Sequence, residues 1–317
     1  MNRNTHSTLL LWVAVVATLG FGAALVGCSG GGKAGASGSN AGSTSGASYT
    51  IPSSIQTSSF SKEDDVSGNG ASIDVSSASK GYFAALASNS SRLKLQVTSG
   101  NMSYNYDLPN DGTPIACPVN MGDGTYTVRV MQNTSGNNYV EIDSATVDVK
   151  LDSEFEPFLR PNVYCDYSDG SACVAQARQL AQGAKNQGDV LQSVCTYITG
   201  HIKYDSSKAT RLRSATGYVP DPDATLADGT GICFDYASLG AAMLRSLGIP
   251  CKVVTGYVSP NNLYHAWIMV YIDGSWTSAE FKVDARTWSR VDLTFAAAGG
   301  PSEFVGDASS YTDRYTY

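Results

Sequence analysis

The hydrophobic pattern of this chain changes period once, and that change divides what it can fold into. Between about residues 71 and 150 apolar side chains alternate with polar ones or run for strand lengths: 81–86 (GYFAAL), 93–97 (LKLQV), 126–130 (YTVRV) and 145–151 (ATVDVKL). A period of two puts every second side chain on one face of a strand, which an amphipathic helix cannot satisfy. Turn-forming clusters at 88–91, 110–112, 122–124 and 135–138 separate the segments. Short strands at that spacing imply an all-β sandwich over 71–151. After Pro157 the spacing becomes helical, with apolar residues three and four apart in 172–181 (ACVAQARQLA) and 189–198 (DVLQSVCTYI). A third helix from Cys233 and a set of strands follow, so 152–317 reads as an α+β domain. A chain of 317 residues has room for both.

The amino terminus has a different texture. Arg3 precedes an uncharged apolar run at 9–27, long enough to serve as a signal peptide or to span a bilayer. The run ends in Leu25-Val26-Gly27-Cys28, which resembles a bacterial lipobox. That resemblance implies that residues 1–27 are removed and that Cys28 carries a diacylglycerol, whose two acyl chains anchor firmly. The expected location is the extracytoplasmic face of the cell membrane; an uncleaved anchor is the alternative. Residues 28–70 begin with a Gly/Ser/Ala-rich stretch that cannot bury a core and reads as a tether. Charged residues are only 15% of the chain, and the net charge of −7 comes with no Lys/Arg cluster, which excludes a nucleic-acid partner.

Seven cysteines are present, and none forms a CxxC pair, so no metal site or other cofactor is expected. With Cys28 assigned to lipidation, Cys165 and Cys173 flank a turn and form a candidate disulfide in an oxidising compartment. Cys195 and Cys251 read as small buried hydrophobes, and Cys117 is isolated in the β region. Cys233 stands apart. It follows Asp228-Gly229-Thr230-Gly231-Ile232 and opens a helix that ends at Gly248-Ile249-Pro250. The positive end of the helix dipole favours a thiolate there, and the glycines permit close approach of a substrate. A core cysteine and a nucleophile fit these features equally well.

Histidine scarcity separates the two. Of His6, His201 and His265, the first lies in the apolar leader and the second ends a helix, where a surface or capping role suffices. His265 sits inside an apolar strand (264–271, YHAWIMVY), where an ionisable ring is costly unless it is satisfied or used. A thiol needing a base therefore points to His265.

Three blocks, 231–237 (GICFDYA), 244–250 (LRSLGIP) and 265–267 (HAW), resemble the transglutaminase-core superfamily in order and spacing. The resemblance is clear over about 205–298 and extends plausibly to 151. It implies a papain-like cysteine domain, often preceded in bacteria by a β-sandwich, with an Asp on the strand after the His. The family commonly shows Trp, three residues, then Asp-Pro-Thr. Here Trp288 leads to Asp292-Leu293-Thr294, departing only at Leu293. Asp292 is the expected third member and Asp284 the runner-up, while turn chemistry accounts for Asp273. The implied reaction is thiol acyl transfer on a protein or peptide amide, with hydrolysis or deamidation favoured over transamidation. No calcium-site motif accompanies it. An adhesive lipoprotein that uses the same fold only for binding is the rival reading.

Overall fold

A computed structural model describes residues 42–299 and 309–317. The leader, the lipobox and Cys28 lie outside them. Strand β1 (Ser43–Ser45) comes first, followed by the sandwich strands β2 (Asp65–Gly68), β3 (Ala71–Asp74), β4 (Tyr82–Ala87), β5 (Leu93–Ser99), β6 (Met102–Leu108), β7 (Ile115–Pro118), β8 (Gly124–Ser135) and β9 (Asn138–Val149). They form two four-stranded antiparallel sheets, ordered β2-β3-β4-β7 and β6-β5-β8-β9. Alternation is the cause. Leu93, Leu95 and Val97 are fully buried and meet Val128 and Val130 of β8, while Lys94 and Gln96 between them face outward.

The segment expected to be a loose tether is built into the fold from residue 42 onward. β1 pairs antiparallel with a strand far along the chain, matching Ser43 to Thr277 and Ser45 to Ser275. Thr44 Oγ1 donates to Asp189 at 2.5 Å, and Tyr49 donates to the Leu247 carbonyl at 2.8 Å. Tyr49, Ile51 and Ile55 pack on the core of the second domain, and β2 is an edge of the sandwich. At Gly42 the absence of a side chain is a steric requirement. A Cβ on Gly42 would lie 1.9 Å from the Thr277 carbonyl oxygen.

In the second domain the helices α1 (Ala172–Leu180) and α2 (Gln187–His201) lead to β10 (Lys203–Tyr204), α3 (Ser206–Leu212), α4 (Pro222–Asp228) and β11 (Thr230–Gly231). Then come α5 (Cys233–Ser246), β12 (Cys251–Val258), β13 (Leu263–Val270), β14 (Ser275–Thr277), β15 (Lys282–Val283), β16 (Ser289–Val291), α6 (Leu293–Ala297) and β17 (Tyr311–Thr316). The main sheet is antiparallel, ordered β16-β13-β12-β17. Every residue of α5 is buried, because the helix is enclosed between this sheet and α1, α2, α4 and α6. Gly240 permits the closeness: a Cβ there would meet Leu293 Cδ1 of α6 at 2.7 Å.

Among the described residues no Asp or Glu side chain pairs with the buried Arg245 near the end of α5. Its guanidinium donates instead to the backbone carbonyls of Cys251 (2.8 Å), Arg160 (2.9 Å) and Tyr317 (2.8 Å). The two domains meet at a tyrosine cluster, where Tyr317 packs edge-on against Tyr104, Tyr106 and Tyr164. Among the described residues no helix is long and apolar enough to cross a membrane.

Candidate active site

Cys233 is the first residue of α5. Gly229 ends α4 in the left-handed conformation (φ 62°), which turns the chain into the short β11. β11 pairs in parallel with β10, setting Tyr204 opposite Gly231, and Ile232 enters the helix with extended dihedrals. The turn therefore hangs from β10 on one side and the buried α5 on the other. Only 6% of Cys233 is exposed.

His265 lies on β13 opposite Gly256 of β12, and it too is buried. Gly256 is required where β12 meets β17, since a Cβ would fall 2.1 Å from the Thr312 carbonyl oxygen. Asp292 occupies the N-cap of α6, where Oδ1 accepts the Phe295 N–H at 3.0 Å. Its Oδ2 is 2.8 Å from His265 Nε2 and also accepts the Tyr311 hydroxyl at 2.9 Å. Cys233 lies near enough to the imidazole to act on its charge. Phe295 closes one face of the ring, stacked at 4.5 Å between centroids. Burial favours the neutral imidazole, but the Asp292 carboxylate and the Cys233 thiol outweigh it and raise the His265 pKa well above the ordinary value. A base held as imidazolium beside a thiol is the pattern of an ion-paired nucleophile.

The structure brings Cys233, His265 and Asp292 together and leaves the other candidates outside. The Asp284 side chain is 62% exposed and lies 3.6 Å from Lys282. Asp273 sits in the turn between β13 and β14, its backbone N–H held by Gln187. His201 is exposed at the end of α2 and stacked on Tyr197. Cys165 and Cys173 are free buried thiols, so the expected disulfide is not formed. Cys165 Sγ is directed to the Ser238 carbonyl at 3.6 Å, and burial pushes its thiol up to about 11. Burial and the hydrogen-bonded Asp223 carboxylate likewise push the Cys173 thiol up.

Three contributors escaped the sequence reading. Phe295 lies in the apolar run after Asp292, and only the stacking geometry reveals it. Tyr311 reaches Asp292 from β17, a strand whose pairing with β12 has no local signal. Tyr204 stands beside the nucleophile turn close enough to feel the charge of Cys233. Its parallel pairing with Gly231 could have drawn attention to it, but two-residue strands are invisible to periodicity.

A helix carrying a buried cysteine at its start, packed on an antiparallel sheet that presents a histidine, defines the papain-like class of thiol-dependent enzyme folds. Residues 174–293 match the Transglutaminase-like superfamily, which makes that part of the chain similar to the family. An uncharacterized protein of Mycobacterium leprae is 32% identical over 132 residues. The match takes in 38% of this chain and 44% of the relative, so this chain spans less than half the length of that curated protein. A Cytophaga hutchinsonii structure described as a candidate cysteine protease is 17% identical, covering 74% of this chain and 91% of that one, with a TM-score of 0.33. A structure described as a TGase is 20% identical over 38% of this chain and 29% of its own, with a TM-score of 0.29.

Proposed function

We propose that this protein is a surface-anchored, thiol-dependent acyl-transfer enzyme that acts on protein or peptide amides, with hydrolysis or deamidation favoured over transamidation. The observation that carries this reading is the buried Cys233, His265 and Asp292 cluster, with the imidazole hydrogen-bonded to Asp292 and near enough to Cys233 for the two to act on each other's charge. His265 already holds the Cys233 proton as an imidazolium, so in the first step the Cys233 thiolate adds to the amide carbonyl carbon. As the tetrahedral intermediate collapses, the C–N bond breaks and His265 returns the proton to the departing amine or ammonia. Water, or an amine, then attacks the thioester and releases Cys233. Asp292 keeps the ring in the productive tautomer and offsets the imidazolium charge.

The developing oxyanion needs donors. The Cys233 N–H at the start of α5 supplies one.

The deciding assay incubates a peptide library with wild type, Cys233→Ala and His265→Ala, reading ammonia release and peptide cleavage separately. Wild type should turn over substrate while both variants lose activity. Turnover by either variant at the wild-type rate sinks the enzyme reading and leaves a binding lipoprotein. Anchoring through a lipidated Cys28 is checked independently: Cys28→Ser should move the protein from the membrane fraction to the soluble one.

A further inference from the structure

Asp235 is wholly buried, two residues past Cys233 on the first turn of α5. A buried carboxylate is tolerated only with partners, and this one has three. Its Oδ2 accepts the Ile232 backbone N–H at 2.8 Å and lies 2.7 Å from Lys208 Nζ on α3. Its Oδ1 accepts the Tyr218 hydroxyl. The Lys208 ammonium also lies over the Tyr218 ring, 5.0 Å from its centroid. Segments from α3, from the loop before α4 and from the nucleophile turn thus converge on a single carboxylate.

Capping alone does not call for the cation. An acceptor at this position of the first turn satisfies the Ile232 N–H whether charged or neutral. A bare carboxylate two residues along from the thiol, on the same first turn of α5, would oppose thiolate formation, and an ammonium paired with it removes that opposition. We propose that Lys208 and Asp235 form a charge-balancing pair that sets how readily Cys233 ionises, with Tyr218 holding the pair in register. The pair leaves the α5 N-terminus and His265 to act on the sulfur unopposed. These are positioning residues, and their role rests on reading Cys233 as the nucleophile. His265 also acts on the sulfur with Asp292 hydrogen-bonded to its ring, Tyr204 approaches from β10 with Asp205 beside it, and Asp221 lies beyond Tyr218. All of these stay constant across the variants below.

The test uses the full chain as wild type, Lys208→Met, Asp235→Asn and the double variant. Alkylation of Cys233 by iodoacetamide is followed by mass spectrometry across pH, with Tm measured in parallel. Asparagine keeps one oxygen to accept the Ile232 N–H and turns its NH2 to the Tyr218 hydroxyl, which can accept instead of donate, so Asp235→Asn changes chiefly the charge. Lys208→Met should move the alkylation midpoint up by about one pH unit and Asp235→Asn should move it down by a similar amount. The double variant should return to within a few tenths of a unit of wild type. Midpoints that move in the same direction, or not at all, overturn the pair, whatever happens to Tm. If Asp235→Asn fails to fold, the partly exposed Lys208 still decides the matter, since an unmoved midpoint in Lys208→Met is enough to refute it. An unreactive Cys233 in wild type overturns both the pair and the nucleophile reading. A reactive wild type with unmoved variants overturns the pair alone.

Discussion

At Asp292 one carboxylate meets three donors: the His265 ring, the Tyr311 hydroxyl and the Phe295 amide. Each fixes a different degree of freedom, so the loss of any one is a loss of orientation more than of charge. Asp292→Ala should lower kcat on the order of 1,000-fold, while Asp284→Ala, on its exposed turn, leaves it unchanged. The reverse result in steady-state assays would reassign the third member. Tyr311→Phe removes a single hydrogen bond worth about 1 kcal/mol, so kcat should fall about fivefold with KM little changed. The His265–Asp292 pair also has a pH signature. The His265 pKa is raised in the folded state from 6.5 to about 10, so its stabilising contribution is complete below about pH 6.5 and is lost as pH rises through about 10. Denaturant titrations should show the stability gap between wild type and His265→Ala closing over that interval.

Among the elements, α5 and β13 were readable in advance and the pieces around them were not. A cysteine after two glycines, a run of small and apolar residues, and the stop at Gly248 mark α5 because each is a local constraint on the backbone. His265 was legible because a polar ring interrupts an apolar strand. Asp292 needed the family pattern, and its role as the α6 cap was hidden because α6 has only five residues. Tyr311 and β1 were beyond reach for one physical reason. Both act through pairings with strands remote in sequence, where nothing in the local pattern names the partner. The Gly/Ser texture of β1 signalled flexibility, although there it permits contact. The close approach at Gly256 gives a test at this scale. Gly256→Ala drives a methyl into the Thr312 carbonyl and should destabilise the domain by about 1–3 kcal/mol through strain between β12 and β17. Chemical denaturation measures it, and a loss below a few tenths of a kcal/mol would mean that the strands can part freely.

Across the whole molecule, Arg245 ties α5 to three stretches of main chain that enter from different directions. Its fork grips the carbonyls at Cys251, Arg160 and Tyr317, which belong to the central sheet, the linker from the sandwich and the final strand. Lysine cannot reproduce a planar group with several fixed donors. Arg245→Lys should therefore leave buried carbonyls unsatisfied and lower Tm, whereas substitutions of the Cys251 side chain that preserve volume should not. The helix bearing Cys233 is thus indexed to the path of the backbone and not to the identity of its neighbours' side chains. Relatives can drift in sequence at all three of those positions and still inherit the same alignment, provided the arginine is kept.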